Sequence, residues 1–431
     1  KKGMANMAEE NVQEDYNSTL DQPSLDPTPE SEASSSSAGP NDIITNGSSI
    51  TETEVEELIS QFATTSTRFE VTNASDADFN YNLGNAILAI DAEIYPQLIC
   101  EGSSGSYYVF DQKGQKLAVF KPKDEEPFAP GNPKWPKFFQ RVLCICCFGR
   151  ACLIPNIGYL AETAASIIDE RLELHVVPKT RIVKLKSPTF NYRKWFYRFI
   201  SPSYFKEGSY QLYVDGYRQA GEVLREWETN ENALTEEERR VFIEKFQRMC
   251  VLDYVIRNTD RHDDNWLIRH VPGKDMKIAA IDNGLSFPFQ HPECTSRFRT
   301  FPFAWASLNI ANEPWDRELR QKLLKKLTQT CVDSLCREIR CLFRHHRSEN
   351  SESMIRHNQP LLIRNQMRVL RGQIWNLREA LENDETPAEM VRKTPILVSK
   401  RRNKKKSDDW KNAYKVKNAV LINRFCWCCC C

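Results

Sequence analysis

Asp260, Asn265 and Asp282 have the side-chain types, order and spacing that chemistry on a phosphate ester requires. The first two lie in Asn258-Thr-Asp-Arg-His-Asp-Asp-Asn-Trp266, and Asp282-Asn-Gly284 follows Asn265 by seventeen residues. Moving a γ-phosphoryl group needs one carboxylate beside the incoming hydroxyl. It also needs an amide oxygen and a second carboxylate for the metal that neutralises the phosphates. An Asp and an Asn five residues apart on a short loop can face one metal ion from two directions. The flanks suit such a loop: Val251–Ile256 reads as the end of an apolar helix, Trp266–Ile268 as a short strand, and Lys277–Ile281 as a second strand delivering Asp282. A polar turn joining two hairpin strands has the same composition, so the loop has to be read with the rest of the chain.

A nucleotide also needs a cover for its phosphates. Gly102-Ser103-Ser104-Gly105-Ser106 lies between apolar Tyr95–Cys100 and Tyr107–Phe110, giving strand, small-residue loop, strand. Glycines let the backbone approach phosphate oxygens, while amides and serine hydroxyls donate to them, although a flexible hairpin tip has a similar composition. After the Asp111–Gly114 turn, Leu117–Lys123 forms a further strand whose Lys121 can reach the α- and β-phosphates. Loop, hairpin and lysine in this order, ahead of the Asp/Asn loop and the second Asp, favour nucleotide chemistry over a surface lysine.

Taken together, Gly102–Tyr107, Ala118–Lys123, Asn156–Leu160, Phe190–Tyr192, Gln211–Val214, Asp260–Trp266 and Ala280–Leu285 resemble the type II phosphatidylinositol 4-kinases. The resemblance runs from about Asn80 to about Trp305 and more weakly to Val369–Leu377. It implies an α+β, atypical two-lobed protein-kinase-like fold, with a mainly β N-lobe and a mainly helical C-lobe. The implied reaction is ATP plus phosphatidylinositol giving phosphatidylinositol 4-phosphate and ADP, with Mg2+, or alternatively Mn2+, as cofactor. By the same resemblance Lys121 contacts the ATP phosphates, and Ser103, Ser104 and Ser106, with Gly102 and Gly105, line the phosphate loop. Gln211, Leu212, Tyr213 and Val214 form the adenine hinge. Asp260 is the catalytic aspartate, Asn265 and Asp282 hold the metal, and Asp282–Phe301 is the activation loop. Glu162, on a helix read over Gly158–Asp169, is a candidate to orient Lys121.

The chain departs from the family at His262, where glycine is usual, and at Asp263, where asparagine is usual. Asp260-Arg-His262 instead resembles the wider phosphoinositide 3-kinase group, in which that histidine is functional. His262 is therefore read either as a participant in proton transfer or as a solvated loop histidine. The stretch from Trp266 to Asp282 is shorter than the family pattern.

At 431 residues with a net charge of +1, the chain has room for one large two-lobed domain plus tails, and its balance points to no nucleic-acid partner. The expected organisation is a disordered Ser-rich, acidic tail over 1–75, an N-lobe over 76–210 with an insert at 133–152, a C-lobe over 211–395 and a basic, cysteine-terminated tail over 396–431. Arg317–Phe343 and Arg364–Leu381 carry apolar residues at helical spacing and read as packing helices. No apolar run follows Lys1-Lys2, so a secretory signal is not expected, and Met4 or Met7 is a candidate start.

No stretch approaches the ~20 apolar residues of a membrane span, so a lipid substrate has to be reached another way. The insert interleaves Lys134 and Lys137 with Trp135 and Phe138, as an interfacial segment does, and ends in Cys144, Cys146 and Cys147, which could carry acyl chains. The type II enzymes carry a palmitoylated Cys-Cys-Pro-Cys-Cys here, against Leu143-Cys-Ile-Cys-Cys147 in this chain. Plain core cysteines remain an alternative, and the spacing suits a metal knuckle poorly.

The distribution of the 15 cysteines suits a reducing cytosolic setting better than a disulfide scaffold. Lys400–Lys406 followed by Cys426–Cys431 reads as a second membrane contact or as a merely basic tail. The implied location is the cytoplasmic face of intracellular membranes (trans-Golgi, endosomes, with the plasma membrane a further candidate), peripheral and lipid-anchored. Two other classes fit less well. A protein kinase would carry His-Arg-Asp rather than Asp-Arg-His, and a silent membrane-anchored scaffold would not keep Lys121, Asp260, Asn265 and Asp282 together.

Overall fold

A computed structural model describes residues 76–127, 129, 131–133, 152–192, 205–230, 232–292, 303–348, 359–401 and 410–419. The N-lobe begins with helix α1 (Ala77–Asp91) and strands β1 (Gln97–Leu98), β2 (Tyr107–Phe110) and β3 (Lys116–Pro122). Helix α2 (Gly158–Leu172) and strands β4 (Thr180–Leu185) and β5 (Lys206–Leu212) complete it. The strands form one antiparallel sheet in the order β1-β2-β3-β5-β4.

Alternation along β2 and β3 divides the two faces of this sheet. Tyr107, Val109, Ala118 and Phe120 are buried with Phe79 of α1, Phe190 and Tyr210, which leaves Val119 and Lys121 on the opposite face. The β2–β3 turn is an Asx turn in which Asp111 Oδ1 accepts from the amides of Lys113 and Gln115, each at 2.8 Å. Helix α2 is buried on nearly every side, its polar Glu162, Thr163, Ser166 and Asp169 included, because it lies between the lobes. It packs on β4 and β5, on the helices of the C-lobe and on the Asn283–Leu285 turn.

After β5 come β6 (Arg218–Gln219), α3 (Ala220–Thr229) and α4 (Glu236–Ile256). Helix α4 starts on a Thr235/Glu238 capping box, and every residue from Met249 to Ile256 is buried. Strands β7 (Trp266–Val271) and β8 (Asp275–Ala280) form a tight hairpin with β6 at its edge. Their close turn, in which the Lys274 amide donates to the Val271 carbonyl at 2.9 Å, accounts for the short Trp266–Asp282 stretch.

Helices α5 (Arg317–Lys326), α6 (Gln329–Ser348), α7 (Gln359–Glu382) and α8 (Pro387–Val391) finish the lobe, together with a final hairpin of β9 (Ile396–Lys400) and β10 (Tyr414–Asn418). Apolar side chains of α4, α5, α6 and α7 share one core with α2. This is the α+β, two-lobed arrangement expected.

Two expectations need correction. The helical stretch Arg317–Phe343 breaks at Leu327, and Thr328 Oγ1 accepts from the Cys331 amide at 3.3 Å to start α6. The tail expected from residue 396 is in part folded: Val398 and Tyr414 are each 1 % exposed, and β9 lies on α7. The N-terminal tail, the insert residues Lys134, Trp135, Lys137, Phe138, Cys144, Cys146 and Cys147, and Cys426–Cys431 lie outside the described residues. No helix among the described residues is long and apolar enough to cross a membrane. Burial pushes the Cys250 and Cys336 thiols up, the Cys336 thiol to about 11.

Candidate active site

Lys121 projects from β3 toward α2, where its Nζ lies 2.7 Å from Glu162 Oε1 and 3.0 Å from Asp282 Oδ1. Burial opposes the ammonium, but the two carboxylates outweigh it and hold Lys121 above the usual lysine range. The ammonium in turn lowers Asp282, helped by Arg261 and His262. Glu162 thus does what the sequence suggested. It is buried at 2 % exposure, and its Oε2 has no partner among the described residues.

Below this cluster lies the Asp260 loop. Asn265 Nδ2 donates to the Asp260 carbonyl at 2.8 Å, and the Asp260 amide donates to Asn258 Oδ1 at 2.9 Å. These bonds fix the loop across its own width and leave Oδ1 as the acceptor of the Asn265 side chain. Asp282 has a left-handed backbone (φ 53°) with its carboxylate half-exposed, opposite Lys121. An amide oxygen and a carboxylate on two loops are hard oxygen donors suited to Mg2+ or Mn2+ beside phosphate, and the orphaned Glu162 oxygen in the same cluster adds a further one. His262 is half-exposed, and its Nδ1 accepts from the Asp264 amide at 3.3 Å.

Sequence reasoning missed what holds the two loops in register. Arg261 and Asp253, both with fully buried side chains, pair through Arg261 Nε at 3.0 Å to each carboxylate oxygen. The guanidinium also donates to the Ile281 carbonyl at 2.6 Å, to the Asn265 carbonyl and to Asn283 Oδ1. Asp253 accepts further bonds from Trp305 Nε1 at 3.0 Å and Asn258 Nδ2 at 3.3 Å. Burial raises the Asp253 carboxyl, and Arg261 opposes that shift. One arginine fork therefore ties α4, the Asp260–Asn265 loop and the Asp282 turn together. The legible signal was a carboxylate inside the apolar run Val251-Leu-Asp-Tyr-Val-Ile256, since a charge buried on a helix needs a partner.

The phosphate loop joins β1 to β2. Gly102 takes φ +74°, and a Cβ on Gly105 would lie 2.7 Å from Glu125 Cβ, so the loop turns and packs only with glycine at these positions. Beneath it is a second buried network absent from the sequence reading. Lys206 Nζ lies 2.6 Å from Glu125 Oε1 and 2.9 Å from Asp124 Oδ2, and Tyr107 donates its hydroxyl to Glu125 at 2.7 Å. Asn132 Nδ2 bridges the Ser103 and Glu126 carbonyls, both at 3.0 Å. Ser103, Ser104 and Ser106 are half-buried along this loop.

The hinge leaves β5 at Leu212. Gln211 is buried and donates to Thr180 Oγ1 at 3.0 Å. The amides of Leu212 and Tyr213 donate to the carbonyls of Lys179 and Leu117, at 3.0 and 2.9 Å. Among the described residues no partner is recorded for the Val214 amide. Of the activation loop, residues 293–302 lie outside the described residues.

A lysine–glutamate pair across two lobes, facing an Asp/Asn loop and a second aspartate, defines an ATP-dependent phosphotransferase of the kinase-like class. Residues 102–362 match the phosphatidylinositol 3- and 4-kinase family model, and the chain belongs to that family. Within it the chain is 40 % identical over 365 residues to phosphatidylinositol 4-kinase type 2-beta of Gallus gallus, covering 75 % of this chain and 73 % of that one. It is 38 % identical over 361 residues to the type 2-alpha enzyme of Danio rerio, covering 75 % and 77 %. The type 2-beta enzyme of Xenopus tropicalis is 40 % identical over 369 residues, covering 75 % and 72 %.

Proposed function

We propose that this chain transfers the γ-phosphate of ATP to the inositol 4-hydroxyl of phosphatidylinositol, giving phosphatidylinositol 4-phosphate and ADP. The observation that carries the reading is the Lys121–Glu162–Asp282 cluster, set over the Asp260–Asn265 loop by the buried Arg261. Lys121, kept charged by its two carboxylates, offsets charge on the nucleotide phosphates, while Asp260 orients the inositol hydroxyl and takes its proton. The phosphate loop covers the donor, and the Val214 amide fixes adenine. Asn265 and Asp282 would hold a divalent metal, Mg2+ by the hardness of the donors, whose role when bound is to neutralise phosphate charge.

The membrane side of the proposal rests on sequence. The basic, aromatic segment with Lys134, Trp135, Lys137 and Phe138 meets the headgroup region. Acylated Cys144, Cys146 and Cys147 anchor it, and the terminal cysteines give a second contact. The proposed location is the cytoplasmic face of Golgi, endosomal or plasma membranes.

The test is transfer of labelled γ-phosphate to phosphatidylinositol in detergent micelles, with headgroup analysis of the product, comparing wild type and Asp260→Ala. A 4-phosphate product lost in Asp260→Ala supports the reading. Absence of lipid product from folded, ATP-binding protein overturns it, and a phosphate elsewhere on the ring overturns the regiochemistry.

A further inference from the structure

Away from the transfer site, α6, α7 and β9 form a cleft of about 560 Å3 lined mainly by arginines. Arg337, Arg340 and Arg344 recur at helical spacing on one face of α6, and Arg364, Arg368 and Arg371 do so on the facing side of α7. Lys400 closes the side formed by β9. Among the described residues the only carboxylate lining the cleft is Asp333, and it is engaged by Lys400 Nζ at 2.7 Å and the Tyr414 hydroxyl at 3.0 Å.

Burying guanidinium donors without partners is costly. Arg371 is 7 % exposed, its Nε has no partner among the described residues, and its other recorded bond is a long one of 3.4 Å to the Met367 carbonyl. Arg340 Nε is likewise buried and unpartnered, and burial with Arg371 and Arg344 nearby lowers that guanidinium below its usual range. Guanidinium forks match phosphate oxygens two at a time, and converging arginines repel one another until an anion enters.

We propose that this cleft is a binding site for a compact ligand carrying several phosphate groups, either a free inositol polyphosphate or the headgroup of a polyphosphorylated phosphoinositide. Arg371 and Arg340 form its floor, Arg368 is held at the wall by its 2.8 Å bond to Ser399 Oγ, and exposed Arg344 and Arg364 form its mouth. Helix α7 connects the floor to the transfer site, because Gln366 Nε2 donates to the Phe287 carbonyl and Gln373 Nε2 to the Tyr254 carbonyl, both at 2.7 Å.

The test is isothermal titration of the full chain with inositol hexakisphosphate at about 0.15 M salt, comparing wild type, Arg344→Ala/Arg364→Ala and Lys415→Ala/Lys417→Ala. The last pair removes the same charge from the exposed strand β10. One probe bound per chain, weakened about tenfold or more by the arginine pair and unchanged by the lysine pair, is expected. The same binding should persist in Lys121→Met, which cripples the nucleotide site. Equal weakening by both pairs, loss in Lys121→Met, or no binding at all would overturn the proposal. Flotation with vesicles of phosphatidylcholine and about 5 % phosphatidylinositol 4,5-bisphosphate separates the two sources. Recruitment that depends on Arg344 and Arg364 identifies a lipid headgroup, and recruitment indifferent to them, beside intact hexakisphosphate binding, identifies a free polyphosphate.

Discussion

Replacing Arg261 by methionine separates what this residue does for stability from what it does for chemistry. The substitution strands the Asp253 carboxylate in a site where its side chain has no exposure, with Trp305 Nε1 and Asn258 Nδ2 as its remaining donors. Removing one member of a buried pair costs ~3–5 kcal/mol, which lowers Tm by on the order of 10 °C. Adding Asp253→Asn removes the stranded charge while keeping an acceptor for Trp305, so the double variant should regain ~1–2 kcal/mol. Activity should not follow, because the carbonyls of Asn265 and Ile281 and the Asn283 side chain still lack their donor. Loss of register between the Asp260 and Asp282 loops is worth about 100-fold in kcat/KM.

The pH dependence supplies an independent check. Burial already raises the Asp253 pKa in the native state, and Arg261 opposes that rise. Without Arg261 the folded pKa climbs further above the unfolded value. A carboxyl shifted up binds more protons folded than unfolded, so stability falls as pH rises through that window and returns as pH falls. The deficit of Arg261→Met against wild type, measured by chemical denaturation, should therefore shrink on moving from about pH 8 to about pH 5, and that change should vanish in the double variant. A deficit independent of pH, or a double variant with wild-type activity, would refute the role assigned to this pair.

Three further outcomes follow from the site. Glu162→Gln should lower kcat/KM for ATP by about 100-fold and reduce the charge of Lys121, read as faster amine labelling at neutral pH; unchanged labelling would leave Glu162 a packing residue. Val214→Pro removes the open hinge N–H and should weaken ATP binding about 2- to 10-fold, whereas Val214→Ala should not, and equal affinities would move the adenine contact elsewhere. Glu126, which accepts from the amides of Gly158 and Tyr159 at the start of α2, is raised by burial to about 7. Its contribution is present below its unfolded pKa of about 4.3 and lost as pH rises to about 7, by up to ~4 kcal/mol. Glu126→Gln should abolish that slope, and a slope unaltered in unfolding measurements across the window would assign it to another group.

The chemistry was legible because it is local. Asp260 and Asn265 share one loop, Asp282 ends the next hairpin, and Lys121 sits on a strand whose alternation sends Phe120 into the core and the lysine out of it. Glu162 was reached by analogy with the helix glutamate that pairs with the strand lysine in protein kinases. The supporting networks were not legible because their members lie far apart in the chain. Lys206 and Glu125 are 81 positions apart, and Trp305 is 52 from Asp253. What the sequence does offer at such places is a charge where the pattern calls for an apolar residue, as at Asp253 within its helix.

The C-terminal hairpin was hidden by the opposite circumstance. Lysines at Lys400, Lys415 and Lys417 mask a period-two pattern in which Ile396, Val398 and Tyr414 point inward. Charge on the outer face of a strand says nothing about its inner face, so a basic stretch should be read for alternation before it is read as a tail. The same reasoning applies on α6 and α7, where the arginines look like ordinary solvated faces until the two helices are set side by side. Only then do they converge on one cleft, where the buried Nε atoms of Arg340 and Arg371 have no partner among the described residues, a circumstance that a solvated helix face would not produce.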